Sequence, residues 1–147
     1  MQDRQAPLAN VITLGVRDLD RERDFYRGLG WPLVPSDKFV MFALRGALLA
    51  LFPIENLVAE SRLPEAPHGG IRVRMGIIAE RPEDVDEMAD RVRAAGGTIT
   101  TEPADAQFFE GRSTYFTDPE GNCWEFAWAP PDNEVVAAAR RAAGSTG

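Results

Sequence analysis

An order of elements that occurs twice along the chain narrows the fold more than any single motif does. Val11 to Arg17 reads VITLGVR, with Ile12, Leu14 and Val16 on one face and Val11, Thr13 and Gly15 on the other, the alternation of a half-buried strand. Asp18 or Asp20 can then cap a helix that carries Phe25, Tyr26 and Leu29 on one stripe and ends at Gly30. Three short strands are predicted next, at Trp31 to Val34, Phe39 to Leu44 and Ala47 to Phe52, the last two split by Arg45-Gly46. After residue 70 the same β-α-β-β-β order returns. Ile71 to Ala79 reads as a strand. Pro82, Glu83 and Asp84 open a helix bearing Val85, Met88, Ala89, Val92 and Ala95, which stops at Gly96-Gly97. Thr98 to Thr101, Arg112 to Thr117 and Asn122 to Trp128 read as strands, with Ala104 to Gly111 as a loop. The chain is thus expected to be a tandem repeat of about 65 residues, an α+β protein of two βαβββ modules. Module one covers about residues 10–53, a proline- and glycine-bearing linker 54–70, module two about 71–130, and a tail 131–147 in which Val135 to Ala143 suits a short helix. All of this fits one domain.

The second module closes with STYFTDPEGNCWEFAW, Ser113 to Trp128. Asp118-Pro119-Glu120-Gly121 has the residue choice of a type I turn, so the two flanking runs form a hairpin. In its second strand Asn122, Trp124, Phe126 and Trp128 share one face, and Cys123, Glu125 and Ala127 share the other. Trp124 and Phe126 have the character of core. Glu125 then points either to solvent from a half-covered sheet or into a groove.

Composition limits what such a groove serves. A net charge of −7 and the lack of a basic stripe argue against a nucleic-acid partner. The longest apolar run, Ala47 to Ile54, is too short to span a membrane. Met1 to Asn10 has no apolar signal-type core, and the single cysteine excludes an internal disulfide, which together suit a cytoplasmic protein. No glycine-rich phosphate loop is present, and no cofactor is expected.

Several side chains admit two roles. Cys123 shares the Glu125 face but has no base near it in sequence, and a small apolar filler is its simpler role. Arg72 and Arg74 serve either to protect an edge strand from aggregation or as groove residues facing a carboxylate. Phe108 and Phe109 are either core plugs or a lid, and Tyr115 alternates away from Phe116 toward the groove. His68, the only histidine, lies in the linker beside Gly69-Gly70 as a solvated loop residue or a ligand. Trp31, Trp124 and Trp128 lie on or near the strands of the groove walls, with Trp124 packing under the helix.

Three motifs, taken in order, carry a family resemblance: VITLGVRDLDRERDFYRGLGW, an acidic helix ending in RAAGGTI, and YFTDPEGNCWEFAW. Together they resemble the vicinal oxygen chelate superfamily, the glyoxalase, bleomycin-resistance and extradiol-dioxygenase group, over roughly residues 10–130. The resemblance implies strongly curved mixed sheets, two modules pairing around a cleft, often across the chains of a homodimer. In catalytic members it implies a divalent metal held by His, Gln or Glu from the first and last strands of each module. Mapped onto this chain, those places fall on Val11, Ala50, Arg74 (or Arg72) and Glu125, and only Glu125 carries a ligand-type side chain. No metal is therefore expected. Arg74 is expected to supply the missing positive charge by pairing with Glu125. The expected ligand is a small, partly aromatic molecule against Val11, Thr13, Leu48, Ala50, Phe52 and Phe109, with Arg72, Arg74, Phe108, Tyr115, Cys123 and Glu125 completing the site. The resemblance also admits a lyase, isomerase or dioxygenase using Glu125 as a base, or an interaction module with no small ligand.

Overall fold

The computed structural model describes residues 11–67, 71 and 73–144. Its elements are β1 (Val11–Val16), α1 (Leu19–Gly28), β2 (Val40–Leu44), β3 (Ala47–Pro53), α2 (Ile54–Ser61), β4 (Arg74–Ile78), α3 (Pro82–Ala95), β5 (Thr98–Asp105), β6 (Arg112–Thr117), β7 (Cys123–Trp128) and α4 (Glu134–Ala142). The protein is α+β, with two sheets of mixed strand direction and four helices. The first sheet has order β1-β3-β2, β1 parallel and β2 antiparallel to the central β3. The second has order β4-β7-β6-β5, with β4 parallel to β7 and the rest antiparallel.

Local chemistry sets the ends of the elements. The Asp18 carboxylate accepts from the Arg21 N–H and caps α1, and Gly30 leaves that helix at φ 88°. Asp84 accepts from the Arg81 N–H at the start of α3, and Gly96 closes the helix at φ 95°. Both left-handed positions are glycine, where a Cβ would be strained.

The structure departs from the sequence expectation at four places. Trp31 to Val34 forms no strand, only a bridge between Leu33 and Phe42. Pro32 and Pro35 remove backbone donors there. The stretch read as a linker contains α2, whose Ile54, Leu57 and Val58 follow helical spacing. β4 starts at Arg74 rather than Ile71. β5 runs on to Asp105 through two register shifts.

One core joins both modules. Phe25, Tyr26 and Leu29 of α1 pack in the same cluster as Phe42, Leu49 and Leu51 of the first sheet, Val85 and Val92 of α3, and Phe116 and Trp124 of the second sheet. Tyr26 is at the join. Its hydroxyl donates to Asp118 Oδ2 at 2.6 Å and accepts from Trp124 Nε1 at 3.0 Å, while Trp31 stacks on its ring with centroids 5.3 Å apart. Asp118 Oδ1 also accepts from the N–H groups of Glu120 and Asn122, which fixes the hairpin turn. Glu120 Oε2 in turn accepts from the N–H groups of Arg17 and Asp18, both at 2.8 Å, at the start of α1. Beside this network Glu22 is fully buried.

Candidate functional site

The core-facing residues of β7, Trp124 and Phe126, are buried under the helices, so period-two alternation turns Cys123, Glu125 and Ala127 to the opposite face. Register then fixes their neighbours. Glu125 lies between Gly76 on β4 and Tyr115 on β6, Cys123 between Arg74 and Thr117, and Ala127 between Ile78 and Ser113. On this face three side chains meet. Tyr115 donates its hydroxyl to Glu125 Oε2 at 3.0 Å, Arg74 Nη2 lies 3.4 Å from Glu125 Oε1, and the Arg74 guanidinium sits 4.9 Å from the centre of the Tyr115 ring. The carboxylate is mostly covered, with 17% of its side chain exposed, whereas Arg74 is 46% exposed. Burial first, and then the Glu125 hydrogen bond, raise the Tyr115 hydroxyl above the ordinary tyrosine value, so it remains a donor. Burial also raises the Cys123 thiol, with Arg74 opposing and Glu125 adding to the shift, which keeps it protonated and poorly nucleophilic.

The expected Arg74–Glu125 pair is present, with a different geometry. An arginine can meet a carboxylate with two parallel hydrogen bonds, but here one guanidinium nitrogen faces one oxygen and Tyr115 takes the other. The residue directly opposite Glu125 is Gly76, so Arg74 reaches it diagonally from the next pair along the strands.

The first sheet repeats the pattern without charge. Val11 pairs with Leu48, Thr13 with Ala50 and Gly15 with Phe52, and these alternate with buried Leu49 and Leu51. Ala50 on the central strand β3 corresponds to Glu125 on the central strand β7. By register Val11 then corresponds to Arg74, Thr13 to Gly76, Leu48 to Cys123 and Met41 to Tyr115. Val11 and Thr13 are exposed, and Leu48, Ala50 and Phe52 are half-buried. α2 closes one end of this face, because a Cβ on Gly15 would stand 2.4 Å from Ile54 Cδ1 and 2.9 Å from Leu57 Cδ2.

The structure does not bring all the expected site residues together. The two faces belong to different sheets, and no extended strand packing among the described residues joins them. Phe108 is 87% exposed at the β5–β6 loop and plugs no core. Phe109 borders a hollow of about 420 Å³ with Pro82, Arg112 and Trp128, and Trp128 is three residues, roughly 10 Å, along β7 from Glu125. Phe108 and Phe109 therefore lie apart from the Arg74–Glu125–Tyr115 group. Trp31 packs on Tyr26 and Trp124 and borders a hollow beside β4, away from the Arg74–Glu125–Tyr115 group. Arg72 and His68 lie outside the described residues.

Another hollow, of about 410 Å³, opens between the β2–β3 turn, β4 and α4. Glu80 stands at it, accepting from Arg140 at 2.8 Å and Arg45 at 3.4 Å. Gly76, the residue paired with Glu125, also borders this hollow. We place the candidate site at Arg74, Glu125 and Tyr115, because the carboxylate at the hollow is already shared by two arginines, whereas the Arg74 guanidinium faces a single oxygen of Glu125. Sequence reasoning placed Ala127 on the Glu125 face but missed Gly76 and Ile78, although counting in twos from Arg74 reaches both.

A divalent ion finds little here. Of the four corresponding positions only Glu125 has a donor, and both of its oxygens are engaged. Among the described residues no three His, Cys, Asp or Glu side chains converge on one point. The residues do not fit a catalytic ion that needs about three protein ligands.

The sequence profile of the Glyoxalase/Bleomycin resistance protein/Dioxygenase superfamily matches residues 8–126. Among solved structures, the chain is similar to a glyoxalase-related enzyme from Fulvimarina pelagi, at 29% identity and TM-score 0.73, over 83% of this chain and 88% of that one. It is similar to a glyoxalase/bleomycin resistance protein/dioxygenase from Nocardioides at 26% identity and TM-score 0.70, over 89% of each chain. Lactoylglutathione lyase from Agrobacterium tumefaciens shares the fold, at 24% identity and TM-score 0.62, over 82% of this chain and 92% of that one.

Proposed function

The chain belongs to the glyoxalase/bleomycin resistance protein/dioxygenase superfamily, and from that membership we propose that it binds a small, partly aromatic molecule on the outward faces of its sheets without a divalent metal. The observation that carries the reading is Glu125, held by Arg74 and Tyr115 where a metal-binding relative would hold its ion. An ionised carboxylate in a half-covered groove needs a counter-charge, and the arginine supplies it. Apolar Val11, Leu48, Ala50 and Phe52 on the first sheet offer contact area and few polar groups.

The two faces complete one cleft when the first sheet of one chain meets the second sheet of its partner, so the functional unit is a homodimer. Support comes from the outer edges of β1 and β4, which pair with no further strand among the described residues, and from exposed apolar side chains along or beside them, Val11, Ile12 and Val73. A thermal-shift screen with small aromatic compounds tests the binding reading: a concentration-dependent rise in melting temperature is expected, and a flat response across the panel overturns it. Elemental analysis tests the metal. Well under one equivalent per chain is expected, and near one equivalent that is lost on Glu125→Ala refutes the reading.

A lyase, isomerase or dioxygenase reading with Glu125 as base is disfavoured by the engagement of both its oxygens. Turnover of any substrate that is abolished by Glu125→Gln would reverse that preference.

A further inference from the structure

We propose that Arg74 receives an anionic group, and that the molecule taken at this face is a small aromatic or apolar carboxylate. The inference rests on the binding reading above and adds the chemistry of the ligand.

Arg74 is oriented without being used up. Its guanidinium is held from one side by the Tyr115 ring at 4.9 Å and from another by Glu125 Oε1 at 3.4 Å. The second distance exceeds the roughly 2.7–2.9 Å of a charge-assisted hydrogen bond, and the Arg74 side chain makes no hydrogen bond to another described residue. A guanidinium has five N–H donors in a planar fork, so the fork is aimed but open, and nearly half of the side chain meets solvent. Glu125, by contrast, has one oxygen occupied by the Tyr115 hydroxyl and the other turned to the arginine. It acts as the positioner of the guanidinium, which leaves the arginine as the group free to bind.

The surroundings favour a flat ligand with the charge at one end. Gly76 follows Arg74 on the same face, and no atom lies within 4 Å of the place its Cβ would take. Beyond it come Ile78 and its cross-strand neighbour Ala127, both apolar and half-buried. A ring laid over Gly76 and Ile78 puts a terminal carboxylate at the Arg74 fork, where two parallel N–H donors match two oxygens. The chain as a whole carries −7 and does not attract anions generally, so recognition at this face rests on a locally oriented cation, Arg74.

The test uses the full-length protein and a matched pair of probes, 2-naphthoate and its neutral isostere 2-naphthamide, titrated calorimetrically. Naphthoate is expected to bind at least about tenfold tighter than the amide, the range one charge-assisted contact supplies. Arg74→Met should bring naphthoate down to the level of the amide. Arg74→Lys, which keeps the charge and loses the fork, should retain part of the preference. Equal affinity for acid and amide in the wild type overturns the anion proposal while leaving the binding reading intact. Failure of both probes, together with a flat thermal-shift panel, overturns both.

Discussion

Glu22 is a residue whose chemistry the fold alters strongly. It is wholly buried on α1, and neither of its carboxyl oxygens makes a hydrogen bond of standard geometry among the described residues. Burial chiefly, and then the carboxylate of Asp118 with a further contribution from Glu120, push its pKa from 4.5 up to about 9. Glu22 is therefore neutral near pH 7. Because the folded value lies above the unfolded one, its contribution is complete below about pH 4.5 and is lost as pH rises toward 9. The melting temperature is expected to fall between pH 5 and 9, and Glu22→Gln to flatten that slope and stabilise the protein at pH 8 by on the order of a few kcal/mol. Parallel profiles for wild type and variant would remove Glu22 as the cause. The Arg74–Glu125 pair predicts the opposite scale of effect. With Arg74 nearly half exposed, a double-mutant cycle of Arg74→Met and Glu125→Gln should give a coupling below about 1 kcal/mol, not the roughly 3 kcal/mol or more lost on breaking a buried pair. A coupling above about 2 kcal/mol would mean the pair is buried in the working assembly.

At the scale of elements, the α3–β5 junction is a close approach of three elements. A Cβ on Gly97 would stand 2.6 Å from the Phe25 ring, 2.8 Å from Val92 Cγ1 and 2.9 Å from the Thr117 carbonyl oxygen. Gly97→Ala should cost about 1–3 kcal/mol, read from a denaturant midpoint, and an unchanged midpoint would show that α1 yields there. The sequence made this junction legible because paired glycines after an amphipathic run mark a helix end. It made the DPEG hairpin and the inward facing of Trp124 and Phe126 legible through turn chemistry and alternation. It hid α2, because prolines and a glycine-bearing stretch obscured a helix of two turns whose only signal is Ile54, Leu57 and Val58. It also suggested a strand at Trp31 to Val34, where β-type composition competed with two prolines and with the pull of Trp31 into the core. Of the site, residue register found the Arg74–Glu125 pair. Glu22 escaped notice although it lies on the Phe25, Tyr26 and Leu29 stripe, since a charged side chain there reads as the edge of a polar face.

At the scale of the whole molecule, two half-sites on two sheets predict association. Light scattering at micromolar concentration should give about 32 kDa, twice the 16.2 kDa chain, and a stable monomer would rule out cross-chain completion of the cleft. The network of Tyr26, Asp118 and Trp124 has a further consequence, for how the chain reaches this state. Its hydrogen bonds span 92 and 98 residues, so the turn of the second repeat gains its buried partner only after the helix of the first has been brought to it. Closing so long a loop carries an entropic cost before any contact rewards it. The halves of this duplicated chain are therefore not separable folding units. A fragment ending in the 54–70 stretch would leave Tyr26 without its acceptor and the apolar face of α1 bare, and the intact chain should gain and lose its structure in one concerted transition set by the slowest of these long-range closures.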